Sequence, residues 1–287
     1  SLLPGDAAQE SLGQSATPEA VAALRAQLGL DQPAHIRYSR WLLGMLSGDP
    51  GQSLANNLPV AELIRTRLPK SLLLAGAAAL VSVPVALLIG IASAMFRGSR
   101  LDRGLSLVTL SIVAVPEFLV ATIAVLIFAV QLQWLPALTF APDDASFGEF
   151  VRAYAMPVMT LSFVIIAQMA RMTRAAVIDQ LSQPYVEMAT LKGVRPSRLV
   201  LTHALPNAIG PIANAIALSL SYLLGGAIIV ETIFNYPGIA SLMVDAVTSR
   251  DMPLLQTCAM IFCVAYLALV LIADVCAIVS NPKLRHP

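Results

Sequence analysis

Side chains able to do chemistry are sparse in this chain of 287 residues, and they do not gather into a reaction centre. His35, His203 and His286 are scattered along the sequence, and no Ser-His-Asp or Cys-His set surrounds a strand–turn–helix signal. No catalytic residue is therefore expected. A phosphate-cradling loop needs G-x4-G-K-[ST], but Lys70, Lys192 and Lys283 follow Pro69, Leu191 and Pro282, so no such loop exists for ATP. Cys258, Cys263 and Cys276 fall in one apolar run, and at helical spacing the first two point in different directions. They read as small apolar side chains, with neither a disulfide framework nor a metal site expected.

What remains is charge placed among hydrocarbon. An ionisable group inside a membrane span is costly and is a functional candidate by default. Glu117 is the best placed of these: it follows Pro116 in the apolar stretch 104–133, where the proline frees backbone carbonyls and bends the helix. A carboxylate there can line a pathway and meet an ammonium or other cationic group. The competing reading is a carboxylate paired at a subunit contact.

The elements that position these groups follow from composition. Hydrophobic residues make up 57% of the chain and charged residues 12%, whereas soluble domains carry about a quarter charged. Net charge is +1, so no basic field points to nucleic acid. A helix crosses a bilayer with about 20 mainly apolar residues. Five stretches qualify: 71–96, 104–133, 154–178, 207–232 and 256–280. The fold class is all-α, a polytopic membrane protein.

Arg97, Arg100 and Arg103 follow the first span, whereas the next loop holds Asp143, Asp144 and Glu149 against Arg152. Basic residues collect on the cytoplasmic side, which places 97–103, 179–206 and the tail with Lys283 and Arg285 inside. Residues 1–67 then form an extracytoplasmic segment, and 68–282 the membrane domain. SLLPGDAAQE has no secretory signal character, so one further helix ahead of it, six spans in all, is the expectation.

Within 1–67, Thr17-Pro18-Glu19 and Gly29 bracket one short helix, and a second follows Pro33 with an apolar face of Ile36, Trp41, Leu42 and Met45. GDPGQS reads as a turn, and Asn57-Leu58-Pro59 starts a helix leading into the first span. In the cytoplasmic loop, Ser182-Gln183-Pro184 starts a helix that Gly193 can end. A second short helix is expected over 196–204, before Pro206 opens the next span. The result is a helical knob whose Tyr185, Met188 and Leu191, beside Glu187 and Lys192, suit docking into a groove on another protein. Arg171 and Arg174 are expected to snorkel or pair with Asp179. Ala213, Ala217, Ser221 and Gly225, and likewise Gly90, Ala94 and Gly98, form stripes of small residues that let helices approach closely.

The spacing in that knob, Glu187, Met188, Ala189, Gly193, nine residues to His203, then Leu205-Pro206, resembles the "EAA" signature E-A-A-x3-G-x9-I-x-L-P of permeases in ATP-binding-cassette importers. Met188 replaces the first alanine and His203 the isoleucine, as in the peptide-importing branch. LGLDQP, VAELIRTRLPKSL, VPEFLV, IIVETIFNYPGIASLMVDAV, RDMPLLQ and NPKLR extend the resemblance over essentially the whole chain.

The resemblance implies a type I importer fold in the bacterial inner membrane. It implies a heterodimeric arrangement with a second homologous permease, two cytoplasmic ATPase subunits and a periplasmic or lipid-anchored binding protein. ATP and Mg would be bound by the ATPase subunits and by nothing in this chain. The knob would be the coupling helix, engaged through Tyr185, Glu187, Met188, Ala189, Leu191, Gly193, His203, Leu205 and Pro206. Glu231 and Asp274 would take structural hydrogen-bonding roles. Independently of the resemblance, the helix start at Pro237 and the amphipathic run after it are expected to lie across the outer mouth as a gate. Dipeptides or oligopeptides are the implied cargo. Nickel, glutathione, opines and oligosaccharides are the alternatives within the family. An ion-coupled transporter lacks its expected inverted repeats and paired midplane acids, and a non-transporting scaffold for an ATPase is the third alternative.

Overall fold

The computed structural model describes residues 9, 12–13, 17–27, 31–139 and 146–280. Gly29, Asp143, Asp144 and the tail carrying Lys283 and Arg285 lie outside them. Among the described residues the chain is helical, with one isolated bridge between Gln52 and Pro59. It divides into two compact units, Ser1–Thr66 with Leu242–Met260, and Arg67–Ser241 with Ile261–Pro287.

In the first unit, α1 (Pro18–Gln27) begins where the Ala20 N–H meets the Thr17 hydroxyl at 3.3 Å. The next helix, α2 (Ala34–Ser47), ends at Gly48, whose φ of 80° closes it in the left-handed region. The segment 49–59 then folds onto Asp251. That carboxylate is fully buried; it accepts the Ser53 hydroxyl and the Ala55 N–H, and it caps the helix α11 (Met252–Ser280) through the Leu254 N–H at 3.3 Å.

The second unit is built around α6 (Phe147–Leu181), opened by a reciprocal capping box between Ser146 and Glu149. Its 35 residues rise about 52 Å at 1.5 Å each, enough to cross a hydrocarbon core and project beyond it. Against it pack α4 (Arg100–Ala114), α5 (Glu117–Ala124) and α9 (Leu205–Ile233). Their common core holds Leu74, Ala121, Met156, Leu161, Met169, Leu223, Val230, Phe234 and Tyr236. Outward faces carry Leu80, Leu88, Leu107 and Leu271, each exposed by more than half. An exposed apolar surface of this extent suits lipid.

Among the described residues, four helices are long and apolar enough to cross a membrane: α3 (Val60–Met95), α6, the run Pro196–Ile233 and α11. The expected span at 104–133 is two helices, Arg100–Ala114 and Glu117–Gln131, bent by 97°. The cause is local. Val115 is extended (φ −89°, ψ 127°) ahead of Pro116, as the proline ring demands of the residue before it. The chain leaves helical geometry for two residues, which is more than a kink. Beyond α5 the backbone continues as a π-helix, Val125–Gln131.

Two boundaries also differ from expectation. The helix expected from Asn57-Leu58-Pro59 is the span itself, since α3 runs unbroken from Val60 through Pro69 and Pro84. The short helix expected at 196–204 does not stop either. One α turn, α8 (Pro196–Arg198), passes through a π segment, Leu199–Ala204, directly into α9. Pro206, in the first turn of α9, has no N–H to give to the preceding turn, and it sits where the run changes from π to α geometry.

Candidate functional site

The knob between α6 and α9 is a hairpin with a buried seam. Pro184 opens α7 (Pro184–Leu191) at its first turn. Gly193, at φ +79°, ends it: the Gly193 N–H reaches the Thr190 carbonyl at 2.9 Å and the Val194 N–H the Ala189 carbonyl at 3.2 Å. Val186 and Ala189 face inward onto Leu199, with Leu181 and Val194 closing the seam. This fixes the opposite face. Tyr185, Met188 and Leu191 are 41%, 56% and 78% exposed, beside exposed Glu187 and Lys192. The His203 carbonyl accepts the Asn207 amide at 2.8 Å and the Tyr185 hydroxyl at 3.4 Å, tying α7 to the base of α9. Leu205 packs into the apolar cluster of Ala94, Val177, Val200 and Ala208, and Pro206 is exposed.

Of the residues singled out in the sequence, then, Tyr185, Glu187, Met188 and Leu191 form one exposed face. Ala189 and Gly193 hold it in place, and His203 ties it down through its backbone. Val186 and Leu199, which complete the seam, carry no sequence signal beyond being apolar.

The acids lie elsewhere. Glu117 is half-buried at the first position of α5, and it makes no hydrogen bond or ion pair with a described residue. Its carboxylate rests against Gly226 of α9, where a Cβ would lie 2.6 Å from Oε1. Glu231 is fully buried and, as expected, hydrogen-bonded: it accepts the Ser71 hydroxyl at 2.5 Å and the Ser241 N–H at 2.9 Å. Ser71 in turn accepts the Ile239 N–H at 2.8 Å, anchoring the first turn of α10 (Ile239–Thr248). Tyr236 donates to the Lys70 carbonyl at 2.6 Å. Burial holds its phenol well above the usual range, so it remains a donor. Asp274 is exposed and has no such partner among the described residues, unlike the role expected for it.

Arg174 does not pair with Asp179. Its guanidinium grips Asp102, with Nε 2.7 Å from Oδ1 and Nη2 2.9 Å from Oδ2. Asp102 stands between Arg100 and Arg103, so the sequence read that turn as a basic loop; a partner 72 residues away leaves no local trace. Gly90 behaves as a small-residue stripe predicts, with a Cβ there 2.7 Å from the Ala170 carbonyl. Gly98 lies past the end of α3 in a left-handed turn, and Gly225 faces open space.

Residues 86–286 match the family described as binding-protein-dependent transport system inner membrane component, and residues 1–75 match the N-terminal part of such membrane components. Similar proteins include a probable peptide ABC transporter permease, y4tP, of Sinorhizobium fredii, 33% identical over 99% of this chain and 91% of its own length. The glutathione transport system permease GsiC of Salmonella paratyphi A is 37% identical over 99% and 90%. A putative peptide transport system permease of Brucella abortus is 34% identical over 99% and 91%. Among solved structures, an inward-facing MetNI methionine ABC transporter covers 76% of this chain and 96% of its own, at a TM-score of 0.63 and 13% identity. That likeness speaks for the fold, a type I importer's. The chain therefore belongs to the family of binding-protein-dependent inner-membrane components: it is a multi-pass permease subunit of an ABC importer, a transport component rather than an enzyme.

Proposed function

We propose that this permease imports short peptides beside a second, related permease, driven by two cytoplasmic ATPase subunits and fed by an external binding protein. The observation that carries the coupling role is the hairpin 184–205: α7 turns Tyr185, Met188 and Leu191 outward from a seam of Val186, Ala189 and Leu199. Glu187 and Lys192 are exposed beside that apolar face, and exposed Arg195 and Arg198 follow in the same hairpin, so a protein groove rather than lipid is its natural cover. The run of basic residues supports a cytoplasmic hairpin with 1–67 outside.

ATP and Mg belong to the partner subunits. Tighter binding of ATP to their closed dimer supplies the bias. The hairpin passes the motion to the spans as a lever, and its part in this is stiffness and docking. The cargo reading rests on the relatives named for peptides and for glutathione, itself a tripeptide.

Reconstitution tests both readings. Gly193→Pro and Glu187→Lys should leave the complex inserted yet separate ATP hydrolysis from uptake. Wild-type uptake by both variants would defeat the coupling role. Native mass spectrometry of the complex should find a bound peptide; a metal, opine or sugar in its place would reassign the cargo. Uptake that survives ATP depletion would favour an ion-coupled transporter instead.

A further inference from the structure

We infer that the Asp102–Arg174 pair is the link that makes the base of α4 move with the coupling hairpin, so that Arg174 and Asp102 are positioning residues for transport. The inference rests on the coupling role proposed for α7.

Three pieces of chain converge on one carboxylate. Asp102, 4% exposed, accepts the Ser93 hydroxyl from the last turn of α3 and the Gly98 N–H, at 2.9 Å, from the left-handed turn. Its own N–H is capped by Ser99 at 3.2 Å. Arg174 of α6 closes the set with a bidentate grip, and lies seven residues before the end of α6 at Leu181, where the chain turns into α7.

The same level of the unit is packed by Ala94, Val177, Val200, Ala204 and Ala208, with Gly90 pressed against Ala170 and Thr173. Apolar packing of this kind resists compression but has no preferred direction of sliding, because dispersion contacts are non-directional. Two parallel charge-assisted hydrogen bonds do have one, since their geometry is fixed in distance and angle. When α7 is tilted, the end of α6 moves with it, because only the turn at 182–183 separates them and Leu181 packs into the seam beneath α7. The fork on Asp102 then carries α4, which begins after the left-handed turn at Gly98 and packs along α6. Through Pro116, α4 leads directly to α5 and Glu117. Cutting the fork leaves the ATPase contact whole and frees the far side of the lever.

The test uses the whole reconstituted importer in proteoliposomes, with ATP hydrolysed per peptide accumulated as the readout. Asp102→Asn keeps the shape but removes the charge and half of the acceptor set, because each carboxylate oxygen accepts two of the four hydrogen bonds; Arg174→Lys keeps the charge while removing the fork; Glu187→Lys serves as the reference for coupling. The expected result is hydrolysis within about twofold of wild type. ATP used per peptide should rise at least tenfold in Asp102→Asn, with a smaller rise in Arg174→Lys. A wild-type ratio in Asp102→Asn overturns the proposal, and so does a parallel fall of both rates in step with lost assembled complex, which is what a purely structural anchor would give. If Glu187→Lys uncouples and Asp102→Asn does not, the link alone fails. If neither does, the coupling role of α7 fails with it.

Discussion

The carboxylate of Glu231 accepts the hydroxyl of Ser71 at 2.5 Å across 160 residues of sequence, joining the start of the first span to the end of the fourth. Gly238 lies against the same carboxylate so closely that a Cβ there would overlap it. Gly238→Ala must therefore displace Glu231 or the chain entering α10. A buried overlap of this kind costs about 1–3 kcal/mol, and we expect a lowered thermal midpoint of the detergent-solubilised subunit. An unchanged midpoint would refute this packing.

Glu117 and Gly226 make a second close pair. Gly226→Ala should cost only about 0.5–1.5 kcal/mol, the strain of turning aside the free end of half-buried Glu117, and adding Glu117→Ala should remove most of that penalty, because the clashing oxygens are gone. A double-mutant cycle on unfolding measures the coupling. Strict additivity would mean the two side chains do not meet.

The two halves of the Asp102–Arg174 pair are unequally buried, with side chains 5% and 32% exposed. Removing the guanidinium strands a buried charge, at a cost of about 3–5 kcal/mol. Asp102→Asn leaves an arginine that can turn to water. Arg174→Gln is thus expected to lower stability more than Asp102→Asn, and equal effects in parallel melts would count against the burial asymmetry.

Gly193 adopts φ +79° with nothing within 4 Å of a Cβ position. Gly193→Ala therefore meets only backbone strain, about 1–2 kcal/mol. It should reduce uptake partially, and far less than Gly193→Pro. Loss equal to the proline variant would show that side-chain space matters at this corner.

The periodicity of apolar residues was enough to find the long helices, because α3, α6, α9 and α11 are apolar over more than a bilayer's length. Local turn chemistry likewise placed α1, α2 and α7, through Thr17, Pro33, Pro184 and Gly193. Pro116 announced a bend but not its size, since a proline sets its own φ and the residue before it while the angle follows from how α5 packs on α6 and α9. The partners of Asp102, Glu231 and Asp251 were illegible for a different reason. Each joins segments distant in sequence, and hydrogen-bond pairing between such segments has no period to read.

The corner at Pro116 has a consequence for the life of the subunit. With α4 and Glu117–Gln131 at 97°, only one of them can follow the bilayer normal, and 15 residues reach about 22 Å of a hydrocarbon layer about 30 Å deep. A solitary copy would have to pinch its surrounding lipid or leave peptide groups near Val115 dry and unsatisfied. We predict that such a copy needs its corner shielded, so the subunit expressed alone should reach a lower steady-state level than in the assembled importer; equal levels in both would contradict this.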